Sequence, residues 1–157
     1  MPDHDAAGSS VAAPFERLGV LDRLFNATVG MLVGLGIGLP DMRVLEVRGR
    51  KTSRVLSLPV DLLPLDGRLY LVAPRGRTQW VRNAEASGTV VLRRGRARAD
   101  YRLRRLADDE KPPVLKAYLD RFRREVSRFF PVPAGSPVDA FRPLAERYPA
   151  FELTPGR

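Results

Sequence analysis

The chain has 157 residues, no cysteine, a single histidine and a formal net charge of +9. The lack of cysteine excludes disulfide bonds, a thiolate nucleophile and cysteine-ligated zinc or iron–sulfur centres. Because His4 is the one histidine, a Ser-His-Asp triad and a histidine-rich metal site are excluded too. We therefore predict no metal site. If the protein is an enzyme, a cofactor must supply the reactive group for the chemical step.

Most of the 27 cationic residues are arginines, which is typical of a protein with an anionic partner. Phosphate, nucleic acid, a membrane surface and an acidic cofactor all fit the charge. The aromatic residues fall on apolar faces and do not alternate with basic residues, as they do in proteins that bind single strands. We therefore predict no specific nucleic-acid partner.

The N-terminal region divides into a tail, a helix and an apolar run. Residues 1–13 have no hydrophobic periodicity, which predicts a disordered tail followed by a single domain over residues 14–157. Pro14 suits the first turn of a helix. Residues 29–39 are glycine-rich and apolar, but shorter than the ~20 residues of a membrane-spanning helix. We expect no signal peptide and a cytoplasmic location, with membrane contact by this run as an open alternative.

Three strands and a helix follow in the central part of the chain. Residues 44–47 and 55–60 alternate in the manner of strands and are joined by a basic turn. An Asp-Gly pair at residues 66–67 predicts a hairpin turn before a third strand, residues 69–73. Thr78 is predicted to cap a short helix that Gly88 ends.

The last third of the chain predicts two more strands, two helices and a final strand. The elements are strands at 89–92 and 97–106 around Arg94-Gly95, a helix over about 109–130 capped by Asp108, a short helix at 138–147 and a strand at 150–153. This order is α+β. A mostly antiparallel sheet of about six strands can bury its apolar faces by closing into a small barrel with helices packed outside.

The densest chemical signal is the turn at residues 48–54, Arg-Gly-Arg-Lys-Thr-Ser-Arg. A glycine lets the backbone approach a ligand, turn N–H groups can face an anion, and cationic side chains supply charge. Arg50 and Lys51 are the strongest phosphate-binding candidates. Thr52 and Ser53 either join them or only shape the turn. The alternative is a basic hairpin end that meets only solvent.

Three segments in order carry a family resemblance. Residues 49–60, with Gly-Arg-Lys-Thr-Ser-Arg and then Leu-Pro-Val, resemble the "GRKSG…VPL" segment of the deazaflavin-dependent nitroreductase family. Residues 72–83 resemble its "VASKGG…W…N" segment, and residues 147–153 resemble its C-terminal end. The resemblance implies a split β-barrel similar to flavin reductases, with helices in the N-terminal, middle and C-terminal parts. It also implies hydride transfer from reduced coenzyme F-420 to a quinone, an enone or a nitro compound.

The resemblance further implies a set of site residues. Those that would hold the phosphate, the acidic tail or the ring of the coenzyme are Arg50, Lys51, Thr52, Ser53, Ala73, Pro74, Arg75, Gly76, Arg77, Trp80 and Asn83. Trp80 could equally serve core packing, and Asn83 could bond to a neighbouring loop. Tyr148 is the candidate proton donor, with Tyr118, Ser57 and solvent as alternatives. The residues expected to line the acceptor side are Met31, Leu35, Phe129, Phe130 and Phe141.

This chain departs from the family pattern at three positions. Ser53 stands where glycine is usual, Leu56 where many members have arginine, and Pro74 where serine is common. Coenzyme binding is still expected, but the choice of acceptor is open. FMN is the second cofactor candidate, and the alternative function is a non-catalytic protein of the same fold that holds a flavin, a haem or a lipid. The expected partner is a small apolar acceptor, and a homodimer is one option for the assembly.

Overall fold

The computed structural model describes residues 40–157. The predicted tail, first helix and glycine-rich run lie outside the described residues, as do Met31 and Leu35. Six strands are present: β1 Met42–Arg48, β2 Val55–Leu65, β3 Arg68–Val72, β4 Thr89–Arg94, β5 Ala97–Arg105 and β6 Ala150–Pro155. The α-helices are α1 Gln79–Ser87, α2 Lys111–Arg121 and α3 Arg123–Val126, and the 3-10 helices are Asp108–Glu110, Ser127–Phe129 and Val138–Arg147.

The strands close into an antiparallel barrel in the order β1-β2-β3-β6-β5-β4. In the β1–β2 ladder Leu45 lies opposite Leu58, and the neighbouring pair is Glu46 and Ser57. Because successive side chains point to opposite faces, the leucine pair faces the barrel interior and the polar pair faces outward. The architecture confirms the α+β class and the six-stranded antiparallel barrel expected from the sequence.

Two apolar clusters hold the helices against the barrel. The interior cluster includes Leu45, Leu71 and Phe151, and α1 adds Trp80 and Val81 to it, so that α1 covers one end of the barrel. The outer cluster packs α2 and the 3-10 helix Val138–Arg147 against the outer wall of the barrel. The α1 end of the barrel is therefore framed by the β1–β2 turn and the β3–α1 loop.

Local turn chemistry matches the sequence at two predicted places. Asp66 and Gly67 both have positive φ, 50° and 75°, as expected for an Asp-Gly hairpin. Gly88 ends α1 in the left-handed region, and its N–H donates to the Ala84 carbonyl oxygen at 2.8 Å. The β4–β5 turn lies at residues 95–96, one position later than predicted.

The single helix predicted over about 109–130 is wrong in its continuity. Phe122, with φ −107° and ψ 25°, separates α2 from α3, and a 3-10 helix follows. Asp108 does not cap a helix, because it is the first residue of the 3-10 helix Asp108–Glu110 and Glu110 holds the N-cap position of α2. The Asp108 carboxylate instead accepts a hydrogen bond from Lys111 Nζ at 2.8 Å. The predicted apolar stripe survives the break, because Phe122, Val126 and Phe130 all stay buried. Packing against the barrel overrides the regular helix here.

The short helix predicted at 138–147 is present as a 3-10 helix with Pro143 inside it. Proline lacks a backbone N–H and disfavours a regular α-helix at this position. Among residues 40–157, no helix is long and apolar enough to cross a membrane.

Candidate functional site

The β1–β2 turn is a closed loop at the α1 end of the barrel. The Gly49 N–H donates to the Arg54 carbonyl oxygen at 2.7 Å, and the Ser53 N–H donates to the Gly49 carbonyl oxygen at 3.1 Å. A Cβ on Gly49 would lie 3.0 Å from both Arg54 O and Thr52 Oγ1, so this position accepts little beyond glycine. Ser53 has a φ of 59°, a conformation that costs a serine more than the glycine usual in the family.

Arg50 attaches the turn to α1. Its backbone N–H and its Nη1 both donate to Asn83 Oδ1, at 3.2 and 2.8 Å, and Nη1 also donates to Gln79 Oε1 at 3.0 Å. Asn83 is only 7% exposed. Its side-chain oxygen is therefore occupied by the turn, and Asn83 positions Arg50 instead of facing a ligand directly.

The remaining turn residues face solvent. Lys51, Thr52, Ser53 and Arg54 are all exposed. Within residues 40–157, neither Lys51 nor Arg54 forms an ion pair with a carboxylate. We call these two residues the turn cations. The turn thus presents uncompensated positive charge beside two exposed apolar side chains, Val55 and Leu56, which are 55% and 38% exposed.

The β3–α1 loop forms the second side of the candidate site, next to the β1–β2 turn. Ala73 is buried, and its N–H donates to the Pro149 carbonyl oxygen at 2.9 Å. Gly76 has a φ of 80°, which suits glycine. Thr78 occupies the N-cap position of α1 but makes no capping hydrogen bond. Its Oγ1 is buried and has no hydrogen-bond partner in the described part of the chain.

Arg77 and Trp80 differ from the roles expected of them. Arg77 Nε and Nη2 donate to Glu85 Oε2 at 3.0 and 2.7 Å, so this guanidinium already has a carboxylate partner. Trp80 is 8% exposed, and its ring lies 6.1 Å from that of Phe151 inside the barrel. The structure thus places Trp80 in core packing. A cleft of about 280 Å³ between Glu85 and Arg105 lies on the β5 side of α1, away from the β1–β2 turn.

Both tyrosines proposed as proton donors are buried. Tyr148 is 2% exposed, its hydroxyl donates to the Phe129 carbonyl oxygen at 2.5 Å, and burial raises its pKa. Burial also raises the pKa of Tyr118, far above its ordinary value. Ser57 points away from the barrel interior, opposite Glu46. This geometry favours the remaining alternative, solvent.

Most of the aromatic residues that were expected to line the acceptor side of the site are buried in the core. Phe141 and Phe130 are buried, and their ring centroids lie 6.4 Å apart. Phe129 alone of the three is partly exposed. Its ring lies next to the guanidinium groups of Arg75 and Arg128. Sequence reasoning missed Arg128, since an exposed arginine at the end of a helix carries no signal of its own.

A comparison with known families matches this site to one family. The family model described as F420H(2)-dependent quinone reductase matches residues 20–127, which include the β1–β2 turn, the β3–α1 loop and α1. The chain belongs to this family of oxidoreductases. The resemblance noted in the sequence, to deazaflavin-dependent enzymes with a split barrel, is confirmed by this match and by the barrel itself.

Solved structures share the fold at low sequence identity. One, named for 5-nitroimidazole antibiotic resistance and from Bacteroides thetaiotaomicron, has a TM-score of 0.52 and 10% identity, with 74% of each chain covered. A structure described as a domain-swapped dimer has a TM-score of 0.51 and 16% identity, with 85% of this chain and 93% of that chain covered. These identities establish the fold alone.

A protein of unknown function from Agrobacterium tumefaciens is a longer relative in structure. It has a TM-score of 0.50 and 15% identity, and the match covers 73% of this chain. This chain spans 48% of the length of that protein. None of the curated proteins matches this chain significantly.

Proposed function

We propose that this chain transfers hydride from reduced coenzyme F-420 to a small apolar electrophile, with a quinone as the first candidate and enones and nitro compounds as the next. Family membership supports the coenzyme and the redox class. The observation that carries the proposal is the exposed cationic turn that Arg50 holds against α1 through Asn83 and Gln79.

The donor groups at the α1 end fit a ligand with a phosphate and an acidic tail. The turn cations supply charge, and Thr52 and Ser53 supply exposed hydroxyls. The first N–H groups of α1 have no partner within the helix, and the helix dipole favours an anion there.

The bound coenzyme would supply the hydride, and the protein's own part is to bind, orient and exclude water. Pro74 is partly exposed beside the buried Ala73, and in this proposal it lies along the flat ring of the coenzyme. The exposed Val55 and Leu56 beside the turn offer apolar contact to the acceptor. Because both candidate tyrosines are buried, the proton that follows the hydride comes from water in this proposal.

Four further features are proposals. Residues 14–157 form one domain in our proposal, since the described strands already form one closed barrel. A homodimer is supported only by one structural relative described as a domain-swapped dimer. A cytoplasmic location and contact between residues 29–39 and a membrane rest on sequence pattern. Sedimentation and vesicle flotation of the full chain would test the assembly and the membrane contact.

The decisive experiment for the function is a fluorescence titration with oxidised coenzyme F-420, with FMN in parallel. We expect saturable micromolar binding of the deazaflavin and weaker binding of FMN. Oxidation of the reduced coenzyme in the presence of menadione would then be followed by absorbance. Binding of FMN alone would contradict the cofactor assignment. Coenzyme binding without oxidation by any quinone, enone or nitro compound would support the non-catalytic alternative.

A further inference from the structure

Two arginines lie over one aromatic ring, and a third lies over the ring of a neighbouring tyrosine, near the β3–α1 loop of the proposed coenzyme site. The Cζ atoms of Arg75 and Arg128 lie 5.3 and 4.7 Å from the ring centroid of Phe129. The Cζ atom of Arg147 lies 5.8 Å from the ring centroid of Tyr148, whose hydroxyl donates to the Phe129 carbonyl oxygen. We call Arg75, Arg128, Arg147 and Phe129 the arginine corner.

The arginine corner is assembled from three separate parts of the chain. Arg75 lies in the β3–α1 loop, Arg128 in the 3-10 helix Ser127–Phe129, and Arg147 at the end of the 3-10 helix Val138–Arg147. The first and last of these parts touch, because a Cβ on Gly76 would lie 3.5 Å from the Arg147 carbonyl oxygen. The tertiary fold therefore gathers charges that are as much as 72 positions apart in the sequence.

The arginine corner has no internal counter-charge in the described region. None of its three arginines forms an ion pair with a carboxylate of residues 40–157, whereas the nearby Arg77 and Arg142 pair with Glu85 and Asp139. Like charges repel, and the attraction of a guanidinium to an exposed ring is weak. An anion between these groups would remove the repulsion.

We propose that the arginine corner binds an acidic group, a carboxylate, on a planar ligand. A guanidinium fork pairs with the two oxygens of a carboxylate, and the flat guanidinium groups over the partly exposed Phe129 ring can stack on a planar ligand. The identity of that ligand rests on the proposed function: the carboxylate belongs either to the acceptor or to the acidic tail of the coenzyme. A carboxylate on the acceptor would add selection by charge to a site expected to favour apolar acceptors, whereas a carboxylate on the tail would add affinity for the coenzyme.

The first test needs neither coenzyme nor turnover. Isophthalate, a planar dicarboxylate, is titrated calorimetrically into the wild type, the double variant R128Q/R147Q and the control R124Q, with neutral isophthalamide as the matched ligand. Arg124 is exposed and four positions before Arg128. We expect millimolar isophthalate binding by wild type and control, at least about fivefold weaker binding by the double variant, and no binding of isophthalamide. Equal isophthalate affinity in all three proteins would overturn the proposal.

Two further measurements identify the source of the carboxylate. If it is the coenzyme tail, the double variant weakens binding of oxidised coenzyme F-420 about fivefold, but not of the coenzyme without its glutamyl residues. If it is the acceptor, kcat/KM falls by a similar factor for a carboxylated naphthoquinone and stays unchanged for the neutral one. The proposal fails if the double variant and R124Q have the same coenzyme affinity and the same kcat/KM for both quinones. A wild type that binds isophthalate but not the coenzyme would refute the proposed function and leave the arginine corner as an anion site.

Discussion

The cations of this barrel lie in two contrasting settings. On the outer surface of β5 and β6, Arg104 lies 2.6 Å from Glu152 and 2.9 Å from Glu110. At the end covered by α1, the turn cations and the arginine corner have no carboxylate partner within residues 40–157. Paired charges cancel one another's field, and unpaired charges of one sign add. Of these two groups of cations, the one without acidic partners is therefore the one expected to bind an anionic ligand.

A third setting, full burial, should show the largest effect on substitution. Lys111 is 0% exposed, and its Nζ donates to Ala145 O at 3.0 Å and to Asp108 Oδ1 at 2.8 Å. Lys111→Met keeps most of the stem but leaves the Ala145 carbonyl oxygen without its donor. We expect a loss of about 2–3 kcal/mol in the free energy of unfolding, measured by urea denaturation.

Lys116→Met is the matched control for that variant. Lys116 makes the same kinds of contact, to Asp120 Oδ2 at 2.8 Å and to Ser136 O at 2.9 Å, but its side chain is 29% exposed. Water can replace these contacts, so its loss should stay below about 1 kcal/mol. Equal destabilisation by the two variants would show that burial does not separate these lysines.

Asp61 provides the converse case, a carboxylate crowded by acids. Desolvation, together with Glu125 and Asp41, raises the pKa of Asp61 to about 6. Because this pKa lies above that of the unfolded chain, folding favours the protonated form, and stability falls as pH rises from about 4 to about 6. We expect Asp61→Asn to be more stable than wild type at pH 7 by about 1–2 kcal/mol, with the difference vanishing near pH 3.5.

Urea denaturation of both proteins across this pH range measures that difference. Asp41 is itself paired, with Arg121 Nη2 at 2.7 Å, and Asp61→Asn changes neither partner of this ion pair. A stability difference that is independent of pH would show that ionisation of Asp61 is not its cause.

The turn cations should affect binding and not folding. Lys51 is exposed and makes no ion pair with any carboxylate of the described region, so Lys51→Ala should leave the urea midpoint unchanged. We expect the Kd for oxidised coenzyme F-420 to rise at least about tenfold, since one charge-assisted contact is lost. The fluorescence titration measures this change. An unchanged Kd would remove the turn from the binding site.

The smallest effect is expected at the paired surface. Arg104→Ala removes the same charge as Lys51→Ala, but from the outer face of β5. The Kd for the coenzyme should stay within about twofold of wild type, because salt screens charges beyond about 10 Å. Similar Kd values for the two variants would mean that net charge alone attracts the coenzyme, and the contrast between the two settings would carry no information about the site.

Most of the fold could be read from local patterns. Alternation placed the strands, and Asp66-Gly67 and Gly88 predicted a turn and a helix end that depend only on nearby residues. The break at Phe122 could not be predicted in this way, because the apolar stripe continues across it. Packing of α2 and the following segment against the barrel wall decides the backbone there.

The site was predicted in part. The turn around Lys51 is visible in the sequence, since glycine, cations and hydroxyls follow one another directly. The sequence does not show that Asn83 bonds to Arg50, or that Trp80 and Tyr148 are buried. Aromatic and amide side chains occur both in protein cores and in ligand-binding sites, so their type alone does not decide. No local sequence pattern marks Arg128 as a ligand-binding candidate. Only its position over the Phe129 ring in the folded chain does so.

The sequence by itself determined the class of fold, the basic turn and the family, since these depend on residue order over short distances. Only the tertiary structure decided which cations have no acidic partner and can therefore pair with a ligand. Arg77 is neutralised by Glu85, and Arg75, two positions before it, instead joins Arg128. The physical reason is that an ion pair forms between groups close in space, and closing the barrel sets those distances between residues far apart in the chain.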